Sequence, residues 1–199
     1  FLWNDHAIAA RIPVLIKFWR NYRERSDFDA ALAQKFFQLI VRSGQLLAKP
    51  EHYSWRTGHG IIQDIGLLLI SAAFPFLQES EQFKEVATHR LSFHIPYYIN
   101  QEGVTLLHSA EYNNGGVRFF SMIMRLYTLN QIAIPESWWN SYSRVVNFYD
   151  TLRRPDGTLP MFGDTRSVAD LLGPLRTYKL EGEGAGSLRR EENKSDHAG

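Results

Sequence analysis

The sequence predicts an all-α protein built from antiparallel helical hairpins. Three observations point there: six apolar stripes at helical spacing, chain breakers between them, and polar clusters that return every 52 or 53 residues. Apolar positions three and four apart mark the inner side of a helix, because its period is 3.6 residues. The first stripe is Ile8, Ile12, Leu15, Ile16 and Trp19. Pro13 lies inside it and is expected to kink that helix or move its start, since proline removes a ladder hydrogen bond. Leu32, Phe36, Leu39, Ile40, Ser43 and Leu47 form the second stripe, and Ile61, Ile65, Leu68, Leu69 and Ala72 the third. The fourth is Phe83, Val86, Ala87, Arg90, Leu91 and His94, which puts a guanidinium and an imidazole in line with core residues. Val117, Phe120, Met124 and Tyr127 make the fifth; Trp138, Tyr142, Val145, Tyr149 and Leu152 make the sixth. Ser26-Asp27, Lys49-Pro50, Pro75, Gly103, Pro135 and Pro155-Asp156-Gly157 punctuate the series. No pair of alternating segments suggests strands.

The chain has 199 residues, 22 basic against 21 acidic side chains, and no cysteine. That balance argues against nucleic acid as a partner, which selects for a basic excess. No apolar run reaches the roughly 18 residues of a membrane span. Without cysteine there is no disulfide, thiolate metal site or thiol nucleophile. No histidine pair stands at ligand spacing within a helix, so neither a metal nor another cofactor is expected. The segment 181–199 has no aromatic residue, five acidic and three basic side chains, and reads as a disordered tail. The body is left mildly basic, which suits an acidic ligand. Phe1 is not an initiator methionine and no leader is visible, so the chain reads as a processed product or a fragment.

The polar clusters are Asn4-Asp5-His6, Arg56-Thr57-Gly58-His59-Gly60, His108-Ser109-Ala110-Glu111-Tyr112-Asn113 and Gly163-Asp164-Thr165. One interval equals one hairpin, and two antiparallel helices return the chain to the end it left. All four clusters are therefore expected on one rim. Helix starts collect Asp, Asn, Ser and Thr as caps, yet capping does not account for His6, His59, Arg56 and Tyr112.

Three of these clusters, with their flanks, resemble motifs of the heparinase II/III-like polysaccharide lyases. Trp3-Asn4-Asp5-His6-Ala7 with Arg11 is similar to the family's motif at the first helix start. Tyr53-Ser54-Trp55-Arg56-Thr57-Gly58-His59-Gly60 with Gln63-Asp64 resembles its Asn-His-Gly or Gly-His-Gly motif. Glu102-Gly103-Val104 followed by His108-Ser109-Ala110-Glu111-Tyr112 resembles a third, and Asp156 to Asp164 the segment that leaves the helical domain. The resemblance covers residues 1–173. It implies an incomplete (α/α) toroid, with further helices and a β-sandwich elsewhere in the same polypeptide, residues 174–199 being linker and tail. It also implies a periplasmic or secreted location.

The implied activity is β-elimination on a uronate-containing polysaccharide or oligosaccharide, an exopolysaccharide among the possibilities. Such a lyase needs a group that neutralises the carboxylate and a base–acid pair for two proton movements. The resemblance places His59 and Tyr112 in the catalytic roles. Arg56, Arg11, His6, Asp5 and His108 are the polar candidates for substrate binding. Trp3, Tyr53, Trp55, Tyr97, Tyr98, Trp138 and Trp139 include candidate sugar-stacking rings, and Trp3 and Trp55 are preferred because they adjoin the rim clusters. Gly58, Glu111, Asn113 and Leu107 depart from the family pattern. Two other readings remain at this point. One is an (α/α)-toroid glycoside hydrolase using carboxylates among Asp5, Asp64, Glu111 and Asp164; the other is a non-catalytic glycan-binding remnant.

Overall fold

The computed structural model describes residues 4–165. Trp3 and the segment 174–199 lie outside the described residues. Six helices follow in order: α1 (Asp5–Tyr22), α2 (Ala30–Ala48), α3 (Gly58–Ala73), α4 (Ser80–Tyr98), α5 (Ala110–Leu129) and α6 (Glu136–Leu152). A single 3-10 turn, Pro50–His52, leads from α2 towards α3. Among the described residues the only β-type pairing is an isolated bridge between Ile99 and Thr105. α1 runs through Pro13 with its start at Asp5, and the proline lies on the exposed face. None of the described helices is long and apolar enough to cross a membrane.

The helices pair as α1/α2, α3/α4 and α5/α6. α1, α3 and α5 lie side by side in one layer, α2 and α4 pack together in the second, and α6 rests on α5. α3 touches α1, α2, α4 and α5, which explains its composition: Ile61, Leu67, Leu68 and Ile70 are fully buried, and so are Gln63 and Asp64. Gly66 keeps that helix close to its neighbours, since a Cβ there would stand 3.1 Å from Leu47 and 3.6 Å from Ala9. The outermost hairpin buries one stripe, Trp138, Tyr142, Val145 and Tyr149, against α5. Gly103 turns the α4–α5 connection at φ +86°, and its α-carbon packs on the backbone of Arg144, leaving no room for a side chain.

Side-chain caps define the starts of the inner-layer helices. Asn4 accepts from the backbone N–H groups of His6 and Ala7, Thr57 from Gly60, and Ser109 from Tyr112. These bonds satisfy donors that a helix start leaves open.

Candidate functional site

Direct contacts join the first cluster to the flank and histidine of the second, and the third to the fourth. Ser54 Oγ donates to Asp5 Oδ2 at 2.6 Å, and the rings of His6 and His59 lie 4.6 Å apart at a 46° tilt. Both imidazoles are exposed. Asp5 is partly buried, which alone would raise its pKa. The Ser54 hydroxyl, the His6 backbone N–H and the charges of His59 and His6 outweigh that and hold it below the usual carboxylate range. Asp5 thus favours its ionised form under the influence of both histidines. A cavity of about 260 Å³ opens on its flank, lined by Ile8, Leu46, Leu47, His52 and Ser54.

The third cluster connects through Tyr98. Its phenol oxygen stands 3.6 Å from where a Cβ on Gly58 would be, and burial together with nearby Tyr112 pushes its pKa up to about 12. Tyr112 is half-buried in the first turn of α5. The fourth cluster closes on that same turn. Thr165 Oγ1 accepts from the N–H groups of Ala110 and Glu111, and Gly163 packs beside Ser109. Since Ser109 takes the N–H of Tyr112, three donors of that helix start are already bonded.

The remaining candidates occupy distinct places. Arg11 is half-buried one to two turns into α1, its Nε donating to the Ala7 carbonyl at 3.1 Å. His108 is exposed in the loop before α5 with φ +48°, a conformation most side chains avoid. Trp55 and Arg56 are exposed in the loop before α3, and Arg56 also has positive φ, +66°. Asn113 points inward, its Oδ1 accepting from the Thr105 N–H at 2.9 Å, so its departure from the family motif serves the fold.

Beneath the loop lies a polar network that motif reading did not assemble. Gln63 accepts from the Ser54 N–H and donates to the His52 carbonyl, clamping both ends of the turn. The Tyr53 hydroxyl donates to Asp64 Oδ2 at 2.8 Å and meets His94 Nδ1 at 2.7 Å. Arg90 lies 3.6 Å from Asp64 Oδ1, sits 4.1 Å from the Tyr53 ring centre, and donates to the carbonyls of Leu47, Ala48 and Lys49. The signal was available: Arg90 and His94 occupy core positions of the α4 stripe, and a buried charge requires partners. Burial drives the His94 pKa down to about 4. A histidine kept neutral in the fold protonates more readily unfolded, so its contribution to stability is present above about pH 6.5 and lost as pH falls towards 4. We expect thermal unfolding midpoints measured between pH 7 and pH 4.5 to fall less steeply in His94→Gln than in the unmodified protein.

Gly60 shows how tightly this floor meets the rim. A Cβ there would lie 2.6 Å from the Ser54 carbonyl oxygen and 2.8 Å from the His94 ring. Gly60→Ala is expected to cost about 1–3 kcal/mol, as overpacking does, read as a lower denaturant midpoint. An unchanged midpoint would contradict that packing.

Among the described residues, no group of three or more His, Asp or Glu side chains is placed to hold a metal ion. The family model for the heparinase II/III N-terminus matches residues 1–179. The chain belongs to the heparinase II/III N-terminal family.

Solved structures agree on the fold of this heparinase II/III N-terminal region. A crystal structure of heparinase III superposes with a TM-score of 0.74 at 18% identity, over 82% of this chain and 26% of that one. The heparan sulfate lyase HepC from Pedobacter heparinus gives 0.68 at 18% identity, over 89% and 27%. A further heparinase III structure gives 0.72 at 15%, over 85% and 26%. The three hairpins are accordingly part of a helical toroid domain, and the chain spans about a quarter of the length of these proteins. No curated protein sequence matches the chain.

Proposed function

We propose that this chain is a sector of a polysaccharide lyase that cleaves a uronate-containing anionic glycan by β-elimination. The observation that carries the reading is the exposed His6–His59 pair, 4.6 Å apart at the starts of α1 and α3, beside the ionised Asp5. On this reading residues 1–173 are one part of the toroid. Further hairpins and a β-sandwich belong to the same polypeptide, and its location is periplasmic or extracellular.

The chemistry requires loss of the proton alpha to the sugar carboxylate. The electron pair left behind forms a carbon–carbon double bond as the neighbouring carbon–oxygen bond breaks, and the departing glycosidic oxygen takes up a proton. Tyr112 supplies the base and returns the proton. His59 faces the carboxylate, where charge builds up, aided by the positive end of α3. His6 and Asp5 orient the imidazole, while Arg56 and Arg11 attract the anion.

A hydrolase would need two opposed, accessible carboxylates. Asp64 is fully buried and bonded to Tyr53, which removes it and leaves Asp5, Glu111 and Asp164 as the carboxylates a hydrolase would use. Heparan sulfate is the first substrate to try, because solved neighbours are named for it. Rising ultraviolet absorbance from an unsaturated sugar supports the lyase. New reducing ends without that chromophore would make the protein a hydrolase, and glycan binding with no product would make it a binding module.

A further inference from the structure

Trp55 and Tyr97 come from different segments, the loop before α3 and the last turn of α4, yet their rings lie 5.5 Å apart and tilted by only 33°. Both are substantially exposed, at 40% and 39%. The Arg56 guanidinium lies over the Tyr97 ring, 5.2 Å from its centre, and so covers part of one face. The backbone of Arg56 takes φ +66°, a conformation that costs free energy and persists where its surroundings enforce it.

The shelf is also built from below. Trp55 rests on the fully buried His94 ring at 4.8 Å. His94 is fixed by Tyr53, Tyr53 by Asp64, and Asp64 faces Arg90. Burying an acid and a guanidinium is a poor way to gain stability, since apolar residues of similar volume serve as well or better. What this column does supply is a fixed base for an exposed indole. A preorganised aromatic surface loses little freedom when a ligand lands on it.

We infer that Trp55, Tyr97 and Arg56 form a subsite for an acidic pyranose ring, the exposed aromatic surface of Trp55 and Tyr97 contacting the sugar and the guanidinium held over Tyr97 pairing with its carboxylate. Tyr97 is the member that no motif marks, and it brings the outer-layer helix α4 into substrate selection. The inference deepens the lyase reading by assigning a subsite, but it needs only binding.

The test is titration calorimetry with a heparosan hexasaccharide, which carries uronate without sulfate, and an uncharged cellohexaose of the same length. The unmodified protein should bind heparosan at least tenfold more tightly than cellohexaose. Tyr97→Ala should weaken heparosan binding about tenfold, with Tyr97→Phe retaining it, since the ring face does the work. Arg56→Gln should narrow the preference for the charged ligand. Circular dichroism on each variant confirms that the helices persist. Equal heparosan affinity in Tyr97→Ala and the unmodified protein overturns the subsite, and so does failure of the unmodified protein to bind heparosan. Unsaturated product formed with an unchanged KM in Tyr97→Ala overturns the subsite and leaves the lyase standing. Tyr97-dependent binding without product supports the subsite by itself, independently of whether this sector turns over glycan without the rest of its polypeptide.

Discussion

If the proposed β-elimination holds, Tyr112→Phe is expected to abolish the unsaturated product, a loss of about 100- to 10,000-fold in the rate of its appearance, the usual contribution of a positioned acid or base. The substitution removes one oxygen and keeps the ring. The helix start it belongs to is held by the Ser109 side chain and by Thr165, through backbone N–H groups that the variant retains. Folding is therefore expected to be unaffected, so the loss reads the chemistry alone. His59→Ala should cost as much, because it removes the imidazole proposed to face the carboxylate, and among the described residues only His6 is in ring contact with it. The two variants should differ in binding: Tyr112→Phe keeps affinity for the glycan, whereas His59→Ala weakens it by removing a partner of the carboxylate. Absorbance assays on uronate-bearing glycans, run beside calorimetry, separate the two effects. A Tyr112→Phe variant as fast as the unmodified protein would end the assignment of that phenol.

The helices were legible because they follow from a periodic pattern, and so were the contacts of the first cluster with the second and of the third with the fourth. Apolar spacing marks a buried face, and the interval between polar clusters matches one hairpin. Stripe membership even placed Arg90 and His94 inside the protein. Their partners were not legible, because Tyr53 and the α2 carbonyls lie 41 to 43 residues away and side-chain hydrogen bonds obey no period. Nothing in the stripe therefore marked His94 as the support of the Trp55 ring. Tyr97 was one aromatic among several until α4 and the loop before α3 were seen together. Asn113 stood out as a motif departure and proved to be a buried pin for Thr105. The positive φ at Arg56 and His108 leaves no trace in residue type.

Arg90→Met should lower stability by about 3–5 kcal/mol, the range for removing one partner of a buried pair. That is a large share of the 5–15 kcal/mol typical of a whole domain. Arg90 is 9% exposed and Asp64 fully buried, so water cannot replace the lost partner. Three carbonyls at the end of α2 lose their donor in the same step, which unties α4 from α2. The deficit should depend on pH. Burial raises the Asp64 pKa well above the carboxylate range, while the Tyr53 hydrogen bond and Arg90 pull it back down. Without Arg90 the folded acid holds its proton more tightly still. A group that binds protons better folded than unfolded loses stabilising effect as pH rises. Denaturant unfolding of the variant should thus show its largest deficit at pH 8 and a smaller one at pH 5, where Asp64 is more protonated and needs no counter-charge. Adding Asp64→Asn should recover part of the loss at pH 8 and little at pH 5. A deficit of the same size at both pH values would mean that the carbonyl bonds alone account for Arg90, with Asp64 a bystander.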